Sequence, residues 1–290
     1  MSDKGKQRLT AETRSGLPGS FVELPTGVTH YELVGDDDGP PVVLVHGNAA
    51  PYVTWDRNVG ALADAGFRVL RYDVLGHGLS DRPELRTYDK SLYNAQLAEL
   101  LSALGITDPV RMVGSSQGGS IATCFTAENP GMVARLALLA PFFDDLPGSN
   151  GLLFRLVTAR GVGELAQRIV PDKRLADLSD AMVDPVARET LQPEVLRQFE
   201  FEGKRRAVLA NLRGDALRPA TTCYRRVKDQ GIPVLLTYGA EDQKLPEAQM
   251  RRLRDLMPEL EYHQIDGAGH LAHYEAPDRV NPILIRFLKG

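Results

Sequence analysis

Apolar and polar positions follow two rhythms along this chain. In Phe21-Val22-Glu23-Leu24 and again in Val28-Thr29-His30-Tyr31-Glu32-Leu33, side chains alternate in character, with Pro25-Thr26-Gly27 between the runs. Alternation broken by a Pro/Gly turn predicts a hairpin. Val42-Val43-Leu44-Val45 is apolar throughout, as expected of a strand covered on both faces. Residues 68–72, 110–113, 135–140 and 234–238 read as further buried strands, and 260–265 as an alternating one. Between them the period lengthens. Leu97, Leu100, Leu101 and Leu104 make a helical stripe within 92–104, and 59–65 and 120–127 also read as helices. Strand and helix in regular succession predict a mostly parallel sheet with right-handed crossovers.

The succession stops between about Phe142 and Pro219. Residues 152–158, 163–170, 185–190, 193–200 and 204–212 read as short helices, with Pro171, Pro185 and Pro193 punctuating them. A stretch this long needs structure of its own, so a helical lid over the strand ends is expected. Asp36-Asp37-Asp38-Gly39-Pro40 reads as a solvated turn, since it lacks the glycine and distal glutamate of a calcium loop.

The most specific local signal is Gly114-Ser115-Ser116-Gln117-Gly118, followed by Gly119. It lies between an apolar strand and a helix. A serine lifted on so sharp a turn needs small neighbours two residues before and after, where strand and helix approach. That register selects Ser116 and makes Ser115 the neighbour one step early. A serine hydroxyl needs a base, and the base needs an orienting acid. Past the strand at 234–238 comes Gly239-Ala240-Glu241-Asp242, and past 260–265 comes Asp266-Gly267-Ala268-Gly269-His270. Asp242 and His270 thus stand on loops beyond strand ends, where such sheets place their chemistry. Asp144 and Asp145, after the preceding strand, remain rivals to Asp242. His273 reads as a helix-start residue. His46 and His77 read as loop histidines that bond backbone, and Trp55 reads as core.

These segments resemble the α/β-hydrolase fold, and the resemblance runs from about Phe21 onward. It rests on Val42-Val43-Leu44-Val45-His46-Gly47-Asn48, on Tyr72-Asp73-Val74-Leu75-Gly76-His77-Gly78-Leu79-Ser80-Asp81, on the serine turn, and on the Asp242 and His270 loops in the order Ser…Asp…His. The resemblance implies an eight-stranded, mostly parallel sheet flanked by helices. It divides the chain into a flexible segment (1–20), a core (21–141 and 220–290) and a helical cap (142–219). It also implies a triad of Ser116, His270 and Asp242, with an oxyanion hole from the backbone N–H groups of Asn48 and Gln117. Phe142, Phe143, Leu153 and Phe154 are candidates to line the substrate pocket, with Tyr52 as a further aromatic.

The expected reaction is hydrolysis of a small to medium, mostly apolar ester through an acyl-enzyme. A C–C bond hydrolase, a lactonase, a thioesterase or a perhydrolase would use the same triad, and a ligand-binding relative with little turnover would keep the fold. An aspartate-nucleophile epoxide hydrolase or haloalkane dehalogenase is disfavoured by Ser116.

Charge and composition trim the field. A net charge of −4 and a pI near 5.9 give no nucleic-acid footprint. No run approaches the ~20 apolar residues of a membrane helix. The polar N-terminus carries no signal-peptide pattern, so a cytoplasmic monomer or homodimer acting on a small molecule is expected, without metal or cofactor. Cys124 and Cys223 show no metal spacing, and a disulfide between them is not expected.

Overall fold

The computed structural model describes residues 3, 5–48, 50–145 and 151–290. Eight strands form one sheet: β1 (Ser20–Leu24), β2 (Gly27–Gly35), β3 (Pro41–Val45), β4 (Arg68–Tyr72), β5 (Val110–Ser115), β6 (Val133–Leu139), β7 (Val234–Gly239) and β8 (Glu261–Ile265), in the order β1-β2-β4-β3-β5-β6-β7-β8. The hairpin pairs Leu24 with Gly27 and is antiparallel, as is β2 against β4; every other pair is parallel. This is the mostly parallel sheet expected from the strand–helix succession, with the eight strands that the resemblance to the α/β-hydrolase fold implies.

Helices cover both faces. On one side, α3 (Lys90–Ala103), α4 (Gln117–Glu128), α10 (Thr221–Gln230) and α11 (Glu247–Leu256) bury Leu97, Phe125, Tyr224 and Leu253 against the sheet. On the other, α2 (Val59–Asp64) and α13 (Pro277–Lys289) bury Leu62, Leu284 and Phe287. All five residues of β3 are buried, which explains its unbroken apolar run. Trp55 is fully buried.

Two expectations need correction here. Cys124 on α4 and Cys223 on α10 form a disulfide, their Cα atoms 4.9 Å apart. The two helices lie side by side on one sheet face, so residues 99 apart in sequence become neighbours. The described part of the N-terminal segment is also tied down. α1 (Ala11–Ser15) follows a bridge in which Gln7 N–H donates to Glu200 O and Glu202 N–H to Gln7 O, and Arg14 pairs with Asp81.

Between β6 and β7 run α5 (Leu152–Thr158), α6 (Val162–Ile169), α7 (Asp172–Leu175), α8 (Pro185–Arg197) and α9 (Lys204–Arg213), with no strand among the described residues. Pro185 starts α8, but Pro193 lies inside it and does not end it. Pro193 is exposed, so water can serve the carbonyl its missing N–H leaves unpaired. This insertion has its own small core, in which Leu178, Leu191, Val195 and Phe199 pack with Ala50 and Leu271. Those last two belong to loops at the ends of β3 and β8. The insertion therefore sits over the strand ends that carry Ser116 and His270.

Candidate active site

The turn after β5 is as tight as its glycines suggest. Ser116 has φ 55° and ψ −122°, a strained geometry for a residue with a side chain. Backbone bonds hold it: Ser116 N–H donates to Leu139 O at 3.0 Å, and Phe142 N–H donates to Ser116 O at 2.9 Å. A Cβ on Gly114 would stand 2.5 Å from Gly118 O, and one on Gly118 only 2.2 Å from Val45 O. Ser115 ends β5 with its hydroxyl fully buried and without a hydrogen-bond partner among the described residues.

His270 and Asp242 reach Ser116 from the two neighbouring loops. His270 Nε2 lies 2.8 Å from Ser116 Oγ, and Nδ1 lies 2.8 Å from Asp242 Oδ2. A carboxylate facing Nδ1 places the ring proton there, which leaves Nε2 to accept from the serine hydroxyl. Asp242 is itself fixed, because Oδ1 accepts from Lys244 N–H at 2.7 Å and Leu245 N–H at 3.0 Å. Asp144 turns instead to Arg252 at 2.6 Å, and the carboxamide of Gln249 donates to the carbonyl of Asp145. Glu241 is exposed.

The loop after β3 closes the other side. A Cβ on Gly47 would lie 2.9 Å from Ser116 Cβ, so this loop needs glycine to pass so near the nucleophile. Asn48 follows it, and Gln117 is the first residue of α4. His46 accepts from Val74 N–H at 2.9 Å through Nε2, and His77 Nε2 lies 3.3 Å from Asn48 Oδ1. Burial lowers the pKa of His46, and that of His77 well below its usual value. His273 sits in α12 (Ala272–Glu275), stacked near Trp55, and burial pushes it down to about 3. All three rings are therefore neutral near pH 7. For Asp73, burial would raise the pKa, but the hydrogen bonds from His30 and from Tyr52 N–H hold it below the carboxylate range.

Ser116 and His270 open onto a cavity of about 210 Å³, walled by Phe142, Leu212, Leu217, Leu245 and Leu271. Lys244 is the one basic side chain among its described lining residues, and it pairs with Asp180 at 3.4 Å. Of the expected pocket residues, only Phe142 lines this cavity. Tyr52 is not among its walls. Phe143 packs edge-on to Tyr224, Leu153 is 74% exposed, and Phe154 lies under Arg218. The correction has a simple cause. Leu152, Leu153, Phe154, Leu156 and Val157 are apolar around most of α5, so spacing cannot say which face turns inward. Two residues carried no sequence signal. Glu275 accepts from Gly269 N–H at 2.8 Å and from Val183 and Asp184 N–H groups at 2.7 and 2.8 Å, joining the His270 loop to the insertion. Asn211 of α9 meets the side chains of both Asn48 and Gln117.

Comparison with known proteins bears on the family and the fold. The family described as alpha/beta hydrolase fold matches residues 40–277. A 2-hydroxy-6-oxononadienedioate/2-hydroxy-6-oxononatrienedioate hydrolase of Dechloromonas aromatica is 30% identical over 281 residues, covering 92% of this chain and 94% of its own. Among solved structures, the enol-lactonase of Burkholderia xenovorans LB400 superposes with a TM-score of 0.76 at 20% identity, covering 93% of this chain and 100% of that one. The haloalkane dehalogenase DbeA of Bradyrhizobium elkani superposes with a TM-score of 0.80 at 19% identity, covering 93% and 97%. At those identities the two structures speak to fold alone.

Proposed function

We propose, from the premise that this chain belongs to the alpha/beta hydrolase fold family, that it is a serine hydrolase cleaving a small to medium, mostly apolar carboxylic ester. Ser116 Oγ attacks the carbonyl carbon as its proton passes to His270 Nε2. Asp242 holds the imidazole in its productive tautomer and stabilises the cation that forms. The backbone N–H groups of Asn48 and Gln117 receive the oxyanion, the latter at a helix N-terminus where negative charge is favoured. His270 then protonates the departing alkoxide, and a water activated by the same ring releases the acid. In this reading residues 142–219 act as a cap that excludes water and sets acyl length.

The observation that carries the proposal is the continuous Asp242–His270–Ser116 hydrogen-bond chain opening on an apolar cavity. A second reading, C–C bond hydrolysis, is favoured by the Dechloromonas relative, which is named for a dioate. A dianion would place a carboxylate against leucine walls, and burying an unpaired charge is costly. The one lysine or arginine among the described lining residues is Lys244, which pairs with Asp180. This favours a neutral ester. The test is a series of p-nitrophenyl esters from acetate to decanoate beside one lactone and one vinylogous diketone diacid. The ester reading expects the highest kcat/KM at intermediate acyl length, and a shift in that optimum when Leu212 or Leu217 becomes alanine. A diketone cleaved more than tenfold faster than the best ester would replace it with the C–C reading.

A further inference from the structure

The carboxamide of Asn211 is fully buried on α9, the last helix of the insertion, yet each of its bonding positions is used. Its Nδ2 donates to Asn48 Oδ1 at 2.7 Å and to Gln117 Oε1 at 3.0 Å. Its Oδ1 accepts from Gln117 Nε2 at 2.9 Å and from Tyr93 OH at 3.0 Å. Two N–H groups and two lone pairs are all a primary amide has. The pairing with Gln117 is reciprocal, amide to amide. A fully satisfied buried network of this kind is rigid, and a half-satisfied one is costly.

The partners matter more than the number of bonds. Asn48 and Gln117 come from different elements, the loop after β3 and the start of α4, and they supply the two backbone N–H groups assigned above to the oxyanion. Among the described residues, no other side chain bonds both of theirs. His77, held neutral by burial, abuts the same Asn48 Oδ1 at 3.3 Å. We infer that Asn211 is a positioning residue: it sets the spacing of the two oxyanion donors and makes that spacing depend on the seating of the insertion. Donors of this type act only when aimed where charge develops, so a small displacement lowers the chemical step more than ground-state binding. The inference rests on the serine-hydrolase reading.

The experiment compares wild type, Asn211→Ala, Asn211→Asp, Arg213→Ala and Ser116→Ala on p-nitrophenyl butyrate. An alkylboronic acid serves as a probe whose tetrahedral adduct on the serine places an oxygen in the hole. Arg213 is the control. It ties α9 to Glu164 and Thr158, both inside the insertion, and touches neither donor, so its loss loosens α5 and α6 from α9 and leaves the seating of α9 on Asn48 and Gln117 in place. The expected result is a kcat lowered roughly 10- to 100-fold in both Asn211 variants, with KM within about threefold. Boronate affinity should fall in parallel, while Arg213→Ala keeps kcat within about threefold. Asn211→Asp keeps the volume and removes the two donors, so it still reports if the alanine variant fails to fold. Equal kcat losses in the Asn211 and Arg213 variants, or an unchanged boronate affinity, would overturn the inference. Failure of the parent reading looks different: Ser116→Ala would then hydrolyse the ester as well as wild type does.

Discussion

Gly118→Ala puts the geometry of the serine turn to a direct test. The new Cβ would stand 2.2 Å from Val45 O and 2.4 Å from His46 O, whereas real Cβ atoms do not come closer than 3.0 Å. Both obstacles are backbone carbonyls at the end of β3, so no side chain can swing aside. Either α4 or the β3 loop must retreat by about 0.8 Å, judged from those distances. That movement separates Ser116 and Gln117 from Gly47 and Asn48. Misplacement of catalytic groups by about 1 Å costs on the order of 10²-fold, so kcat/KM on p-nitrophenyl butyrate should fall roughly 10- to 100-fold. Overpacking of this kind costs about 1–3 kcal/mol, and Tm should drop by roughly 2–12 °C for a chain of this size. Gly60→Ala is the matched control. Its Cβ would meet nothing within 4 Å inside α2, and alanine there should be neutral or stabilising by about 0.5–1 kcal/mol. Should Gly118→Ala keep its activity within threefold and its Tm within a degree, the close approach described for this turn is wrong.

Other expectations are equally open to measurement. Asp242→Asn should lower kcat by about 10²–10⁴ with little change in KM, while Asp144→Asn, whose carboxylate faces Arg252, should stay within about threefold; the reverse ranking would move the triad acid to the earlier loop. Burial lowers the pKa of His46, His77 and His273 in the folded protein. The unfolded chain therefore binds more protons than the folded one below about pH 6.5, and each ring removes up to about 1.4 kcal/mol of stability per pH unit as pH falls. Thermal melts should be level above pH 7 and decline steadily from pH 6.5 to 5, and a flat profile across that window would mean these rings are not buried as neutral bases. Cys223→Ser should destabilise the oxidised protein, by as much as about 4.7 kcal/mol if the disulfide acts through the loop of 99 residues it closes. Identical melts with and without reductant would show that the bond does not form, and such bonds are rare in a reducing cytoplasm.

Much of this architecture is written in short stretches of sequence. The apolar run at 42–45 follows from the covering of both faces of β3, and each residue carries that record by itself. The glycines at 114 and 118 follow from steric crowding around one turn, so the register that singles out Ser116 over Ser115 is legible locally. The loop positions of Asp242 and His270 are also readable locally, since each follows closely on a strand that the hydrophobic pattern marks.

The rest depends on which distant elements pack together. Local pattern leaves Asp144, Asp145 and Asp242 equivalent, because all follow strand ends; the placement of His270 beside β7 brings only Asp242 to 2.8 Å. The Cys124–Cys223 bond exists because α4 and α10 share one sheet face. Whether α5 turns Leu153 toward the cavity or toward solvent is set by how α5 packs on α6 and α9. Asn211, one polar residue in an ordinary helix, gains its place beside Asn48 and Gln117 only when α9 folds back on the start of α4. Periodicity and turn chemistry are properties of neighbours along the chain, whereas these contacts join residues dozens to more than a hundred positions apart, and only the packing of the whole chain selects them.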